Sequence, residues 1–554
     1  MTVDAHPRIV LIVGVTGHRD MIDRDVPDIR SRICVELERL EAATKGVRPI
    51  LLSGLAEGGD QLVAEEALKR NWEVYAIFPM PFADYLADFT TNDKRKALTS
   101  LKDRCAAAHE IPWALALDPD ITDRRDQQYR NQSIFIARQS QVVIALWDGT
   151  PANPTGACGT AYVVELCRSG PPPVEGEVLA APETTSLIHI PIKRQSAPDR
   201  EPVRQPVLPS DQAYLQVCEE FGSYNGAVAT MREANPQKIK TSTDWLISEE
   251  ALQELDPATR ALVDRYASAD ALAGDQQKYR NQVVKLASLA TLVGAFAQAT
   301  NGLLAQTSWM IAYGIAVGVA YGLYLFLFKL PFFRIEDRYL EYRALAEALR
   351  IQIFWRAAGV PAEAAEHYLQ LVKTEVGWIR EALRSILLCA SIADSGRQTA
   401  ADVVKKFWID GQIEYFVGTN PATVEGKSRD CKNLQKWLDF GANAAMFVGV
   451  VLVAAAGAAS LYPIPPGIKA AASAYSATFF LMAGVIKGYV AAMGYAEQAV
   501  SYEKMGAIFR GAQRLFEQDQ SRRAECLFAL GKHALTENAE WLMQHRKNAF
   551  TVQK

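Results

Sequence analysis

Residues 9–20 read IVLIVGVTGHRD, and residues 49–60 read PILLSGLAEGGD. Each stretch is an uninterrupted apolar run that ends in glycine and charged residues. Continuous rather than alternating apolarity is typical of strands that are buried on both faces of a parallel sheet. Such sheets bind ligands at the carboxyl ends of their strands, where loops lead into helix N-termini. These two stretches therefore predict the fold of the N-terminal region and the place of its site.

Similar apolar, β-rich runs continue through residues 8–194. They are EVYAIFP at 73–79, WALALD at 113–118, VVIALWDG at 142–149 and SLIHIPI at 186–192. Segments with helical periodicity separate them, as in the spacing of Ile29, Ile33, Leu37 and Leu40. This alternation predicts a Rossmann-like α/β domain built on a parallel sheet.

Glycine-bearing junctions follow three of the predicted strands. After the first strand, Gly17 permits a tight turn, Thr16 offers a hydroxyl, and Arg19 is suited to bidentate pairing with a phosphate. After the second, the backbone donors of Gly58 and Gly59 are unobstructed by side chains and suited to seat a phosphate at a helix start. The third junction, WDGTPANPTGACGT at 147–160, also leads into a helix.

Candidate ligand-binding residues lie at these junctions and around YRNQ, which is predicted to start a helix at residue 129. They are Gly14, Thr16, Gly17, His18, Arg19, Ser53, Gly54, Ala56, Glu57, Gly58, Gly59, Asp60, Arg130, Asn131, Asp148, Gly149, Gly156, Gly159, Thr160 and Glu165. The alternative for the glycines is that they only make tight turns. His18, Arg130 and Asn131 have the alternative of being ordinary turn or surface residues.

Neither a catalytic residue nor a metal ligand is predicted. No Ser, His and Asp set is recognisable by spacing, and His109 and His189 lack matching metal-ligand partners nearby in the sequence. The eight cysteines form no CxxC pair, which argues against both a zinc site and a disulfide framework and fits a reducing cytoplasm.

Two later regions are almost free of charge. From Leu286 to Phe328 there is no Asp, Glu, Lys or Arg, a run long enough for two membrane crossings at about 20 residues each. Its legs are predicted at Val283–Thr300 and Ser308–Phe328. The second region, Phe440–Ile486, holds a single lysine and the turn-forming PIPPG at 463–467. Four transmembrane helices are therefore predicted, with two buried soluble helical hairpins as the alternative.

Basic residues flank these hairpins, whereas the two tight connections carry almost no charge. The flanking basic residues are Lys278, Arg280, Lys285, Lys329, Arg334, Arg338, Lys427, Arg429, Lys432 and Lys436. By the positive-inside rule, both termini and the central segment are expected in the cytoplasm, with only the short turns outside.

Overall composition averages over these unlike parts. The 554 residues include 59 Lys and Arg against 63 Asp and Glu, which gives a net charge of −4, and the mean hydropathy is −0.04. A charged fraction of 22% excludes a disordered chain. The near-neutral balance argues against a dedicated nucleic-acid binder.

An offset of 160 residues relates the two hairpin regions. It maps Tyr342 onto Tyr502 and Arg350 onto Arg510, within EYRALAEALRIQIFW and SYEKMGAIFRGAQRLF. Each stretch is predicted to form a helix with one apolar face after its hairpin. The pattern indicates an internal duplication, with a chance likeness of two juxtamembrane helices as the alternative.

The motifs VTGHRD, SGLAEGGD, YRNQ and DGTPANPTGACGTAYVVE together resemble the SLOG superfamily of Rossmannoid proteins, which includes the LOG cytokinin-activating enzymes and DprA-type proteins. The four-span remainder resembles SLATT domains, two-helix membrane modules that are joined to nucleotide-sensing domains in bacterial conflict systems. The predicted organisation is a SLOG-like domain at 1–194, a linker and helical connector at 195–275, a first two-span module at 276–360, a cytoplasmic helical connector at 361–435, and a second two-span module with C-terminal helices at 436–554.

This resemblance implies a multi-pass effector of anti-phage defence, or abortive infection, in the bacterial inner membrane. Its SLOG domain would bind a nucleotide-derived second messenger, ADP-ribose-like or a cyclic nucleotide, and need no other cofactor. Its partners would be membrane lipid and further copies of itself, in a homo-oligomer that forms an ion channel or pore or disrupts the membrane. Nucleic acid is not an expected partner.

The same resemblance gives weaker support to an enzymatic function. LOG enzymes place a glutamate three residues after the threonine of the third glycine turn, and this chain has Val163 there. Glu165 lies two residues further and is expected on a different side of the helix. A membrane-tethered LOG-like nucleotide phosphoribohydrolase and a scaffold with a vestigial Rossmann domain are the alternatives.

Overall fold

A computed structural model describes most of the chain. The described residues are 8–44, 46–151, 158–174, 177, 180, 182–304, 318, 333–368, 377–392, 400–418, 426–458, 461–462 and 465–547. They fall into two compact units. The first comprises Met1–Gln237, Asp256–Arg265 and Glu363–Arg397, and the second comprises Lys238–Leu255, Tyr266–Ala362 and Gln398–Lys554.

A parallel six-stranded sheet forms the centre of the first unit, which confirms the predicted α/β fold. Its strands are β1 (Leu11–Gly17), β2 (Pro49–Ser53), β3 (Glu73–Phe78), β4 (Ala107–Glu110), β5 (Val142–Trp147) and β6 (Ser186–Pro191). They pair in the order β4-β3-β2-β1-β5-β6. Val13 of β1 lies opposite both Leu51 of β2 and Val142 of β5. The direction of strand addition thus reverses between β1 and β5, where crevices form in such sheets.

The predicted strand WALALD is wrong. Residues 113–118 are irregular and Leu115 is fully exposed, whereas β4 is the short sequence AAHE just before them. An edge strand needs only one partner, and β4 pairs with β3 through backbone groups that put no demand on apolarity.

Helices cover both faces of this sheet. In chain order as far as residue 304, the helices of the two units are α1 (Val26–Ala43), α2 (Gly59–Lys69), α3 (Phe82–Leu86), α4 (Asn92–Asp103), α5 (Arg124–Gln139), α6 (Thr160–Ser169), α7 (Ala213–Ala234), α8 (Pro236–Leu246), α9 (Glu249–Glu254) and α10 (Pro257–Leu304). The buried face of α1 consists of Ile29, Ile33, Leu37 and Leu40, as its periodicity predicts.

A helix from far along the chain completes one face of the sheet. The later helices begin with α11 (Phe333–Ala357), α12 (Ala364–His367) and α13 (Gly377–Ile392). Leu388 of α13 packs into the cluster formed by Ile12, Leu52 and Ile77, beside Phe135 of α5. The first unit therefore includes a segment that follows the first charge-free region in sequence.

The rest of the second unit is helical where it is described. Its remaining helices are α14 (Ala401–Val403), a π-helix (Val404–Asp410), α15 (Gly411–Val417), α16 (Lys427–Ala458), α17 (Pro466–Met493), α18 (Tyr495–Gln518) and α19 (Arg523–Lys547), and short 3₁₀ turns lie at Asp23–Asp25, Pro209–Gln212 and Gln520–Arg522. The 160-residue offset places α11 within two residues of α18 at both ends. Leu345, Leu349 and Ile353 are buried on α11, as are Met505 and Phe509 on α18.

Two helices of the described chain are long and apolar enough to cross a membrane. One is α16, and the other runs from Pro466 to Gln518 through α17 and α18. They correspond to the third and fourth predicted spans. The first predicted leg forms the C-terminal part of α10, where Phe296 contacts Tyr475 of α17 with ring centroids 6.4 Å apart. The second leg, apart from Gly318, lies outside the described residues.

Candidate functional site

A cavity of about 350 Å³ opens at the carboxyl end of the sheet, at the strand-order reversal. It is bounded by the loop after β1 and by the starts of α2 and α6. Of the predicted site residues, those that line it are Thr16, Gly17, His18, Arg19, Ala56, Asp60, Gly159 and Thr160. The structure thus brings together residues from all three glycine-bearing junctions.

The first two junctions pack directly against each other. A Cβ added at Gly17 would lie 2.6 Å from the Cα of Gly59, and the N–H of Gly59 donates to the carbonyl of His18 at 3.1 Å. Gly58 has a φ of +84°, and a Cβ there would lie 2.5 Å from the same carbonyl oxygen. Close backbone approach therefore requires these three glycines, whatever the cavity binds.

Asp60 is buried at the centre of this contact, in the first turn of α2. Its carboxylate accepts backbone hydrogen bonds from Ala56, Gly17 and Gly54. Burial nevertheless raises the pKa of Asp60 to about 7, although Arg19 and these N–H groups favour the charged form. Of the two backbone donors expected to seat a phosphate at the second junction, the N–H of Gly59 is already bonded to the carbonyl of His18.

The start of α6 offers a freer position for an anion. Gly159 has a φ of +95°, and no atom of the described residues lies within 4 Å of the place where its Cβ would be. Thr160 follows as the first residue of the helix, with 8% of its surface exposed. Both residues line the cavity, so the helix N-terminus is directed at it.

Arg19 is exposed and lines the same cavity. Its Nη2 donates to the hydroxyl of Tyr129 at 3.3 Å, and its guanidinium lies 5.5 Å from the Tyr129 ring centroid. Tyr129 in turn donates to Asp88 at 2.5 Å. Within the described chain Arg19 forms no ion pair, so its charge is available to an anionic ligand.

His18, which follows β1, pairs with Asp148, which follows the neighbouring strand β5. The Nε2 of His18 lies 3.2 Å from Oδ1 of Asp148, and the two side chains are 12% and 8% exposed. Burial, together with the nearby Arg194, lowers the pKa of His18. The imidazole is therefore mostly neutral at pH 7 and is oriented by a carboxylate.

Several predicted residues do not reach the cavity. Arg130 binds Asp118 and Asp120 at 3.2 and 2.8 Å, and the neighbouring amide of Asn131 contacts Gln127. These two residues do not begin a helix, because α5 starts at Arg124. Glu165 is exposed, whereas Val163 lines the cavity.

The other predicted residues lie beside the site or support its loops. Glu57 pairs with Lys94 at 2.6 Å, and the buried Ser53 accepts from the N–H of Leu55 at 3.0 Å. Substituents at Gly14, Gly54 and Gly149 would collide with Ser140, Gln132 and Val203, respectively. Gly156 lies outside the described residues.

Sequence reasoning missed one helix face and one arginine. Tyr129, Gln132, Ser133 and Ile136 line the cavity from α5, at the 3.6-residue spacing of a single face. That periodicity was available in the sequence and would have selected these residues over Arg130 and Asn131. Arg194 reaches the cavity from the proline-rich segment after β6, where no local signal marks it.

The described residues contain no group of three or more His, Cys, Asp or Glu side chains that could hold a metal ion. His109 stacks on Phe135 at 5.4 Å, and Nε2 of His189 lies 3.0 Å from the carbonyl oxygen of Trp147.

Comparisons of the chain with protein-family models, with curated proteins and with solved structures found no match. The resemblance to SLOG and SLATT domains stays a prediction.

Proposed function

We propose that this chain is a ligand-responsive membrane effector. Its N-terminal α/β unit binds a nucleotide-derived second messenger, an ADP-ribose-like or cyclic nucleotide, and its membrane helices respond. The setting is bacterial anti-phage defence, with the protein in the inner membrane and both termini in the cytoplasm. Setting and orientation rest on the sequence resemblance and on the positive-inside pattern.

The observation that carries the ligand proposal is the charge arrangement of the strand-end cavity. Arg19 forms no ion pair among the described residues, and the N-terminus of α6 is directed at the same space. An unpaired guanidinium and helix N–H groups together favour a phosphate. The cavity volume also falls in the usual range for small-molecule sites, which starts at about 300 Å³.

Exposed apolar surface supports the membrane proposal. On α16, Phe440, Phe447 and Val451 are 67%, 69% and 47% exposed, which is unfavourable in water over so contiguous a surface. Residues 440–458 span roughly 28 Å of helix, close to the ~30 Å thickness of a bilayer core. Trp437 is exposed at one end of this stretch, where aromatic residues favour the membrane interface.

The ion pair between Asp439 and Lys487, at 2.6 Å, lies at that same end and joins α16 to α17. A charged pair is suited to the interface rather than to the hydrocarbon core. Few spans are available in one chain to line a wide conduit, so the proposed active form is a homo-oligomer that opens a pore or disrupts the membrane. Ligand binding must favour one arrangement of that oligomer over another.

The test compares Arg19→Ala with Arg24→Ala, which removes an exposed arginine from the same loop outside the cavity. The full-length protein in detergent is titrated with ADP-ribose and cyclic nucleotides by thermal shift, and toxicity is measured in cells that produce the ligand. Arg19→Ala is expected to lose both responses while Arg24→Ala retains them. Equal responses would contradict the ligand site, and no response of the unmodified protein to any nucleotide would favour the scaffold.

The pairing of His18 with Asp148 favours a second candidate, hydrolysis of the bound nucleotide. A neutral, carboxylate-oriented imidazole is a suitable general base, and Asp60 with a pKa near 7 is a suitable acid. The LOG-like route lacks its glutamate, since Val163 occupies that place in the cavity wall. Chromatography of nucleotides after incubation with the full chain and with His18→Asn separates a hydrolase from a sensor.

A further inference from the structure

The segment from Lys193 to Leu208 is fastened along the rim of the strand-end cavity. We call it the strap. Its first part bonds to the loop after β1, where the N–H of Gln195 donates to the carbonyl of Asp20 at 2.6 Å. The hydroxyl of Ser196 donates to the carboxylate of Asp20 at 2.5 Å. The proline-rich linker predicted from sequence is therefore anchored at the site.

The strap is also bonded at the end of β5. The N–H of Val203 donates to the carbonyl of Asp148 at 3.0 Å. A Cβ at Gly149 would lie 2.3 Å from the carbonyl oxygen of Val203, so glycine is required for this crossing. The strap thus bridges the two strand ends between which the cavity opens, and then leads into α7.

Arg194 is the strap side chain that enters the cavity wall. Its Nε donates to Asp20 at 2.9 Å, and its Nη1 lies 3.9 Å from Asp148, beyond hydrogen-bond distance. A guanidinium has five N–H groups in a planar fork. The Nη groups can therefore bind a ligand while Nε keeps its bond to Asp20.

We propose that Arg194 is a second phosphate-binding arginine in addition to Arg19, and that a bound phosphate strengthens the attachment of the strap to the loop after β1. This inference rests on the proposed function and adds how the site is regulated. The ligand class is a phosphate or pyrophosphate group, because two arginines on different loops and a helix N-terminus converge on it. Because the strap leads through the 3₁₀ turn at Pro209–Gln212 into α7, its attachment connects ligand binding at the sheet with α7.

Cleavage by trypsin measures how accessible the strap is. Trypsin cleaves after arginine, and Arg200 and Arg204 are both exposed in the strap. Full-length protein in detergent is incubated with inorganic pyrophosphate or ADP-ribose, and cleavage after Arg204 is followed by mass spectrometry. The ligand is expected to slow this cleavage at least about threefold in the unmodified protein.

Three variants decide the outcome. Arg194→Gln is expected to bind the probes about 10- to 100-fold more weakly, to be cleaved faster without ligand and to gain no protection. Arg194→Lys keeps the positive charge but not the planar guanidinium. Its affinity for the probes and its protection from trypsin are expected to lie between those of the unmodified protein and those of Arg194→Gln. Arg200→Gln, an exposed strap position outside the cavity wall, is expected to match the unmodified protein.

The results separate this inference from the function on which it rests. If the probes bind the unmodified protein and Arg194→Gln equally well, or if bound ligand leaves the strap as accessible as before, the role of Arg194 is wrong and the ligand site stands. If neither probe shifts the melting temperature of the unmodified protein, the phosphate site and the role of Arg194 fail together.

Discussion

The hydroxyl of Ser385 bonds to both main-chain groups of Val10, accepting from its N–H at 3.1 Å and donating to its carbonyl at 2.8 Å. Val10 immediately precedes β1, and Ser385 lies on α13. One buried side chain thus joins the first strand of the sheet to a helix from a distant part of the sequence, at the end of β1 opposite the cavity.

Ser385→Ala should loosen the start of β1. The substitution leaves two buried backbone groups without partners, at a cost of about 1–3 kcal/mol. Hydrogen exchange of the full-length protein is expected to speed up in peptides covering residues 9–13. Ser391→Ala, on the same helix at a partly exposed position, is the matched control, and equal protection in both variants would show that the bond to Val10 contributes nothing.

Gly17→Ala should prevent the first two junctions from packing. The added methyl group would meet backbone atoms of Gly59, which have no side-chain freedom with which to move aside. We expect a large loss of protease resistance in the α/β unit. Gly226→Ala, inside α7 and with open space around the new methyl group, is expected to be neutral or stabilising by up to about 1 kcal/mol. Comparable resistance of the two variants would refute the packing argument.

Asp60 should make the stability of the α/β unit depend on pH. The folded state raises the pKa of Asp60 from 3.8 to about 7, so the folded state holds this proton more tightly than the unfolded state. The stabilisation associated with the bound proton is full below pH 4 and is lost as pH rises towards 7, by up to about 4 kcal/mol. Above that pH range, the contribution of Asp60 to stability no longer changes with pH.

The measurement is the difference in stability between the unmodified protein and Asp60→Asn from pH 4 to 8. Asparagine keeps an acceptor for the loop N–H groups but does not titrate, so the unmodified protein should lose stability relative to it as pH rises. Asp28→Asn, at a side chain that is 73% exposed, should show no such slope. A flat difference for Asp60→Asn would contradict the raised pKa.

Val450→Arg should impair membrane integration. Val450 is 53% exposed near the middle of the apolar stretch 440–458 of α16, and arginine at the centre of a membrane helix costs about 2.5–3.5 kcal/mol on insertion scales. The carbonate-resistant membrane fraction is expected to fall. Val500→Arg, at a 64% exposed position on α18 beyond the charge-free stretch that ends at Ile486, should leave it unchanged. A membrane fraction insensitive to Val450→Arg would indicate that this face of α16 does not meet lipid.

The strand-to-helix junctions were predictable because the signals are local. An apolar run followed by glycines, as in Val15–Gly17 and Leu52–Gly54, reports strand, turn and site within a few residues. The edge strand β4 escaped because its sequence, AAHE, has no apolar run, while WALALD has one and forms no strand. An edge strand is only partly buried, so its sequence need not be apolar, and the largely exposed WALALD shows that an apolar run need not form a strand.

Long-range contacts set the other limit. Nothing near Leu388 or Ser385 indicates that α13 packs on a sheet formed by the first 200 residues. The place of Arg194 in the site was unpredictable for the same reason. The sequence around it is typical of a linker, and its side chain is positioned by Asp20, which lies on another loop. Both depend on pairings between segments that no local pattern specifies.

The discontinuous origin of the first unit has a consequence for biosynthesis. Domains generally fold as units while the N-terminal parts of a chain emerge first, but here one face of the sheet lacks part of its cover until residues 377–392 have been translated. The charge-free segment 286–328 leaves the ribosome before then. If that segment enters the membrane as proposed, its targeting precedes completion of the α/β unit, and a fragment ending near residue 200 would expose an apolar sheet face to solvent and to chaperones.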